Sequence, residues 1–330
     1  MSENITIHDV AAEAGVSIAT VSRVLNNMES VKDSTRERVY EAMRVVGYPI
    51  PEPKAAETKK NRTILIMVTN IGNQFTGKEV EGIFSEAYNN DYDCVIYRQK
   101  NENYTYEDIR RVADEVNAGG IIMSLPNVPA DIMNQLSECY PVVQFSEYVE
   151  DCAVPFVSVN DYAVGKQATK YLLRMGKRRI ALFNGPKRFK YARERERGYL
   201  DALKEEGIAP NPELIVSTVV SQGVIQATAS KLVKSSLEPD AVVAVSDGFA
   251  AAVIAACHSV GMCVPKDLAV ISCEDTNLAQ MLVPPLTTVS QPIFHIGKQA
   301  CQMLLSLMDG NQPEPSQVFL ESQLVVRESS

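Results

Sequence analysis

The usual signatures of catalysis are missing from this sequence. No GxGxxG follows an apolar run, and GxxxxGK[ST], HExxH and GxSxG are all absent. These gaps remove a phosphate cradle, a zinc-protease site and a nucleophile elbow as readings. The adjacent carboxylates Glu274 and Asp275 do not restore an acid-base site, because neighbours at a strand end point to opposite faces. The chain is therefore not expected to be an enzyme. Histidine is scarce: His8, His258 and His295 fall on separate predicted helices without metal-type spacing, so neither metal nor cofactor is expected. Seven cysteines include no CxxC pair, and an odd number cannot all pair within one chain, so reduced structural thiols are expected. No stretch approaches 18 uninterrupted apolar residues, and the N-terminus has no basic segment before an apolar run. Neither a membrane contact nor export is expected, which leaves the cytoplasm. Basic excess is lacking too, since the formal net charge is -9. Broad affinity for nucleic acid is thereby excluded, and any such contact must be local.

What is present divides by period. Residues 1–48 read as three short helices. The first starts at Thr6 and stops at Gly15; the second begins at Ser17 with Val21, Val24 and Leu25 on one face. The third carries a Ser34-x-x-Glu37 capping box, an apolar stripe of Val39, Ala42, Met43 and Val46, and Gly47 as its stop. Residues 49–62 bring three prolines and six charged side chains in quick succession, a linker composition. From Thr63 apolar runs alternate with helical periods: 64–68, 94–97, 120–123, 141–145 and 156–159, then 178–183, 241–245 and 268–272, with helices between, among them Arg193 to Glu206 and Phe249 to Val260. Strand, helix, strand at this spacing predicts parallel sheets covered on both faces, and two blocks of similar size predict two lobes. The expected N-lobe is 63–160 plus 293–315, and the C-lobe is 161–290 plus 316–330. Ligands in such sheets bind at the carboxyl ends of the strands, so the cleft between lobes is the expected site.

The first two helices and their turn have the form of a DNA-reading pair. The second helix would present Ser17, Ile18, Ala19, Ser22, Arg23 and Asn26 to the major groove. Arg23 can fork onto a guanine, Ile18 and Ala19 can meet a thymine methyl, and Thr20, Ser22 and Asn26 can bond bases or phosphates. Taken alone, the pattern also fits a plain three-helix bundle with solvated polar groups.

The residues that carry a resemblance are IHDVAxxAGVSxATVSRVLN at 7–26, Val31, TRERV at 35–39 and Gly47-Tyr48. They continue with Asn73-x-Phe75, VND at 159–161, GKRRIALFNGP at 176–186, RERERGY at 193–199, Ser246-Asp247 and PPLTTVSQP at 284–292. Across nearly the whole chain this resembles the lactose-repressor (LacI/GalR) family of transcriptional regulators. The resemblance implies a small all-α helix-turn-helix head on an α/β two-lobed core of the periplasmic-binding-protein type, acting as a repressor. Its implied partners are operator DNA with an inverted repeat, a small-molecule effector (a sugar, nucleoside or purine) and a second copy of the chain; a protein co-regulator is left open. Implied DNA contacts are Thr6, Ser17, Ile18, Ala19, Thr20, Ser22, Arg23, Asn26, Thr35 and Tyr48. Implied effector contacts are Phe75, Asp161, Phe189, Tyr191, Arg195, Asp247 and Asp275.

Two departures stand out. Residues 1–60 hold eight Lys and Arg against nine Asp and Glu, so helix N-termini and the hydroxyls of Ser17, Thr20 and Thr35 must position phosphates. Pro51 and Pro53 interrupt the stretch where the family places a short hinge helix, as in its cytidine-repressor branch. The linker is expected to stay disordered on DNA that remains nearly straight. At the cleft, Asp247 reads equally as ligand or helix cap, Asp161 as ligand or cap, and Arg193, Arg195 and Arg197 as ligands or a solvated charge run. The rival architecture, a periplasmic-type binding protein, would carry a signal peptide and no head. No leucine heptads follow Arg327, so assembly beyond a dimer through a C-terminal coiled coil is not expected.

Overall fold

A computed structural model describes residues 6–25, 31–49, 61–99 and 104–330. Asn26 and nearly all of the expected linker, residues 50–60, lie outside the described residues. The chain forms two compact units, 1–60 and 61–330.

In the smaller unit, α1 (Ile7–Ala14), α2 (Ile18–Leu25) and α3 (Asp33–Val46) close around Val10, Val21, Val24, Val39 and Met43, all essentially without solvent contact. The 3.6-residue period of the apolar positions sets these faces. Gly15 takes φ +62°, a left-handed conformation that ends α1 and lets α2 start three residues later. Arg38 of α3 donates to the Ala14 carbonyl at 2.9 Å and closes the exposed C-terminus of α1. Thr6 donates from both its amide and its hydroxyl to the Asp9 carboxylate, at 2.7 and 2.8 Å. The expected capping box at Ser34 does not form. The helix already begins at Asp33, and the amides of Thr35 and Arg36 bond the Lys32 carbonyl, which places Ser34 inside the first turn.

The larger unit contains two sheets. One runs in the order β11 (Gln317–Leu320), β5 (Phe156–Val159), β4 (Val142–Phe145), β3 (Ala118–Ser124), β1 (Thr63–Val68), β2 (Asp93–Arg98), and all its pairs are parallel. The other runs β12 (Gln323–Val325), β10 (Thr287–Ser290), β9 (Ala269–Ser272), β8 (Ala241–Ala244), β6 (Ile180–Asn184), β7 (Ile215–Ser217), parallel except for the antiparallel β12. Each lobe is a doubly wound sheet of the same strand order. The expected lobe boundary at 315/316 falls instead at 320/321, because β11 extends the first sheet through β5 before the chain crosses to β12.

In each lobe one helix pair packs especially closely beside the crossings. In the N-lobe, α4 (Gln74–Asn89) meets α12 (Ile293–Met308); in the C-lobe, α7 (Asp161–Arg174) meets α8 (Lys190–Glu205). At the second contact a Cβ on Gly198 would collide with the Tyr162 carbonyl, and one on Gly165 with the Arg195 backbone. Only glycine permits this approach, which brings Arg195 beside the first turn of α7.

Candidate effector cleft and DNA-reading surface

The carboxyl ends of the strands converge between the lobes, and charge concentrates there. Asp161 opens α7 just after β5 and is buried at 4% exposure. Its carboxylate accepts from Lys190 Nζ at 2.8 Å and from Arg195 Nε and Nη2 at 2.9 and 2.8 Å. The remaining Arg195 nitrogen donates to the Val245 carbonyl at 2.7 Å. Burial alone would raise the Asp161 pKa, but the two cations overcome it and hold it below the usual value. Asp161 is thus the shared anion of a buried triad, and the cap of α7 is Asn160, which accepts from the Ala163 amide.

Asp247 sits at the end of β8 and is equally enclosed. It accepts from the Ser272 hydroxyl at 2.5 Å and from the Thr276 amide and hydroxyl, both at 2.7 Å. It is not the cap of its helix, α10 (Asp247–Ser259); Ser246 is, accepting from the Phe249 amide. Asp275 points away from Glu274 and pairs with Arg327 at 2.7 Å, while Glu274 accepts from the Asp247 amide. The expected divergence of these neighbours is observed. Phe189 precedes α8 as expected, as its backbone cap residue, but Tyr191 does not: Lys190 opens the helix and Tyr191 lies in its first turn. Their rings stack at 5.3 Å, half-buried, and Arg195 lies 5.2 Å from the Tyr191 centroid. Phe75 is half-buried in the first turn of α4. Arg193 and Arg197 stay on the outer face, Arg197 paired with Glu194 at 2.8 Å.

Sequence reasoning missed Glu147, Lys190, Gln74 and Glu79. Glu147 follows β4 in the N-lobe, yet its carboxylate accepts from the amides of Lys190 and Tyr191 at 2.8 and 3.1 Å, capping α8 of the other lobe. Lys190 Nζ also lies 4.3 Å over the Tyr148 ring. Across the cleft, Gln74 accepts from the Leu278 amide at 3.3 Å, so side chains clasp the lobes at two places. Glu79 accepts from the Ser146 hydroxyl inside the N-lobe. Burial, aided by the carboxylates of Glu274, Glu147 and Asp161, pushes Glu79 up to about 8. Glu274 also rises to about 8, through burial and then the carboxylate of Asp247.

A raised carboxylate pKa means that the folded state holds a proton the unfolded chain releases near its ordinary value. Stability from Glu79 is then full below about 4.5 and lost as pH climbs towards about 8. Glu79→Gln, which mimics the protonated form at every pH, should match wild type at about pH 4.5 and exceed it by on the order of 2 kcal/mol at about pH 8.5. Urea unfolding at the two pH values measures this. A gap that fails to widen with pH would remove Glu79 from the account.

On the head, Ile18, Ala19 and Arg23 are solvent-exposed on one side of α2, Ile18 at 40%. Ser17 serves first as the cap of α2: its hydroxyl accepts from the Thr20 amide at 3.2 Å and shares a 2.8 Å bond with the Thr20 hydroxyl. Thr6 is exposed, and Ser22, Thr35 and Tyr48 are half-buried.

Comparison with known proteins agrees with this geometry. Residues 6–51 match the model of bacterial regulatory proteins of the lacI family, and residues 169–330 match that of the periplasmic binding protein-like domain. The HTH-type transcriptional repressor CytR of Escherichia coli K12 is 31% identical over 98% of this chain and 96% of its own length. The HTH-type transcriptional regulator DegA of Bacillus subtilis is 32% identical over 98% of both chains. Among solved structures, a complex of the transcriptional regulator CelR with cellobiose superposes with a TM-score of 0.75 at 28% identity, covering 99% of this chain and 100% of that one. The lac repressor dimer bound to operator and the anti-inducer ONPF gives a TM-score of 0.72 at 23% identity over 99% of each chain, a likeness of fold. A three-helix head matched by the lacI-family model, a core built as two clasped lobes, and relatives matched end to end lead to one statement: this chain belongs to the lacI family and is a sequence-specific DNA-binding transcriptional regulator.

Proposed function

We propose that the protein is a cytoplasmic repressor that binds an inverted-repeat operator as a homodimer and is controlled by an uncharged, hydroxyl-rich molecule, a nucleoside or sugar, held between its lobes. The single observation that carries the effector class is the charge balance at the strand ends. Five buried carboxyl groups, Glu79, Glu147, Asp161, Asp247 and Glu274, gather there, while Lys190 and Arg195 already share Asp161 and Arg327 is held by Asp275. Glu79 and Glu274, pushed up to about 8, are mostly uncharged at neutral pH, so what disfavours a phosphorylated or carboxylated ligand is that the cations there are already committed, whereas ligand hydroxyls find both donors and acceptors. Phe75, Phe189 and Tyr191 offer ring faces for a base or sugar. Because Arg195, Asp161 and Asp247 are engaged with protein partners, we assign them the task of shaping the cleft, with Glu274, Asp275 and the aromatic rings nearest the ligand. Calorimetry against nucleosides, purines, monosaccharides and their phosphate esters tests this. Binding of a neutral member, weakened about tenfold or more by a phosphate group, is expected; preference for the phosphate ester would overturn the reading. The effector acts on DNA binding only through its different affinities for the clasped and open lobes.

For the dimer surface we assign the outer side of α4 and the edge strand β2. Val95 and Ile96 point to opposite sides of β2 and are both exposed, and Tyr88 beside them is 82% exposed. A parallel edge strand that leaves apolar side chains part-exposed on both faces is a surface in want of a cover. Tyr88→Asp combined with Ile96→Asp should convert the dimer to monomer in sedimentation velocity, without changing the circular dichroism spectrum. A variant that still sediments as a dimer would exclude this face.

A further inference from the structure

The chain passes between the lobes three times, at 159–161, 290–293 and 320–323. Beside the third crossing, away from the strand-end cleft, a cavity of about 620 Å³ opens between the outer side of α7 and the segment joining β11 to β12. Its volume is in the range of small-molecule sites. Phe319 and Leu320 come from the N-lobe sheet, Leu324 from the C-lobe sheet, and Lys166, Lys170 and Arg174 stand one helical turn apart along α7.

We propose that this hinge cavity is a second ligand site, for a small organic carboxylate with a flat apolar body. The cationic row supplies the anion partner. Lys166 and Lys170 both reach the single carboxylate of Glu205, each at 2.6 Å, and Arg174 pairs with no carboxylate among the described residues. Glu205 stands outside the wall, on which Glu321 is the one acid beside three cations in a protein whose net charge is -9. Arg174 stands exposed at the end of the row, where its guanidinium can take a carboxylate with two parallel bonds. The apolar body has a surface to meet: Phe319 is half exposed to solvent at 50%. The same ring packs edge-on to Phe156 at 5.3 Å, Phe156 stacks on Tyr148 at 3.8 Å, and Tyr148 carries Lys190 of the buried triad. Walls drawn from both lobes make the site sensitive to the lobe angle, since a ligand that touches both binds the two arrangements unequally.

The chain contains no tryptophan, so Phe319→Trp introduces a unique fluorophore into the wall. Titration of this variant with para-nitrobenzoate, a quenching arene carboxylate, should give saturable quenching. Adding Arg174→Glu should weaken it about tenfold, and the neutral para-nitrobenzyl alcohol should bind about tenfold more weakly than the carboxylate. Calorimetry on the unsubstituted protein, and on Ser322→Trp, which fills the crossing side of the cavity, provides a reading independent of the probe: binding in the first and none in the second. Glu147→Ala, which releases the N-lobe's hold on the start of α8, should shift the affinity about threefold or more. Quenching that stays linear as for free tryptophan, equal affinities for the Arg174 pair, or heat of binding that survives Ser322→Trp would each overturn the site. An affinity untouched by Glu147→Ala would overturn its coupling to the lobes.

Discussion

Replacing Asp161 with alanine is expected to destabilise the core by about 3–5 kcal/mol, because it strands Lys190 and Arg195 as buried cations without their shared anion. In a unit of this size that corresponds to a fall in Tm on the order of 10 °C. The asymmetry matters more than the pair itself. A buried ion pair contributes little over a well-packed apolar substitute, but half of one is costly. Asp161→Asn, which keeps the shape and some hydrogen bonds, should fall between alanine and wild type. The pH dependence identifies the cause. The Asp161 pKa is held below its unfolded value despite burial, so its contribution is present above about pH 4 and is lost as pH falls through the folded pKa. Wild type should therefore lose stability into acid more steeply than Asp161→Ala, the reverse of the alkaline loss ascribed to Glu79. Urea unfolding followed by near-ultraviolet circular dichroism of the tyrosines measures both. A loss below about 1 kcal/mol, or identical acid limbs, would show that the triad is solvated and carries no such energy.

The triad also shows where sequence legibility stops. Asp161 is legible as a residue at a helix start after an apolar run, and Arg195 through the resemblance carried by RERERGY at 193–199. Their pairing is not, because it depends on Gly165 and Gly198, each packed against the backbone of the other helix, and no local pattern marks two such glycines 33 residues apart. Glu147 is a stronger case. It caps a helix that begins 43 residues later and in the other lobe, so no capping pattern exists around it to be read. By contrast the head was legible almost entirely, because its core positions follow the helical period and its turn rests on one glycine at φ +62°. Even there Ser34-x-x-Glu37 misled, since the same spacing is available inside a helix that starts earlier. The central strands read cleanly as apolar runs, whereas β7, β11 and β12 are edge strands of three or four residues with mixed burial, too short and too polar to announce themselves. The shifted lobe boundary at 320/321 follows from that.

The head's scarcity of positive charge sets the terms of the second large effect. Proteins that grip phosphates with many lysines and arginines owe much of their affinity to released counterions, and so bind steeply more weakly in salt. Here residues 1–60 carry eight basic and nine acidic side chains, and the described surface of α2 has Arg23 as its one full charge. Specific binding must then rest on few contacts, and Arg23 is placed to make the strongest of them: it is exposed one turn beyond Ala19, with Ile18 and Ala19 at the helix start beside it. A guanidinium forked onto guanine gives about 1–3 kcal/mol of discrimination. Arg23→Ala should accordingly cost about that much on the preferred site, and Arg23→Lys nearly as much, because an ammonium does not reproduce the fork. The preferred site is obtained by selection from random duplexes with the full chain, and should emerge as an inverted repeat. Anisotropy titrations on it, with a scrambled duplex alongside, read out the three proteins. Wild type should fall to the scrambled level by losing only a few contacts, and the slope of log affinity against log salt should be shallow, changing by roughly one or less with Arg23→Ala. If Arg23→Ala binds the selected site as tightly as wild type, or wild type holds the scrambled duplex equally well, α2 is not the reading helix.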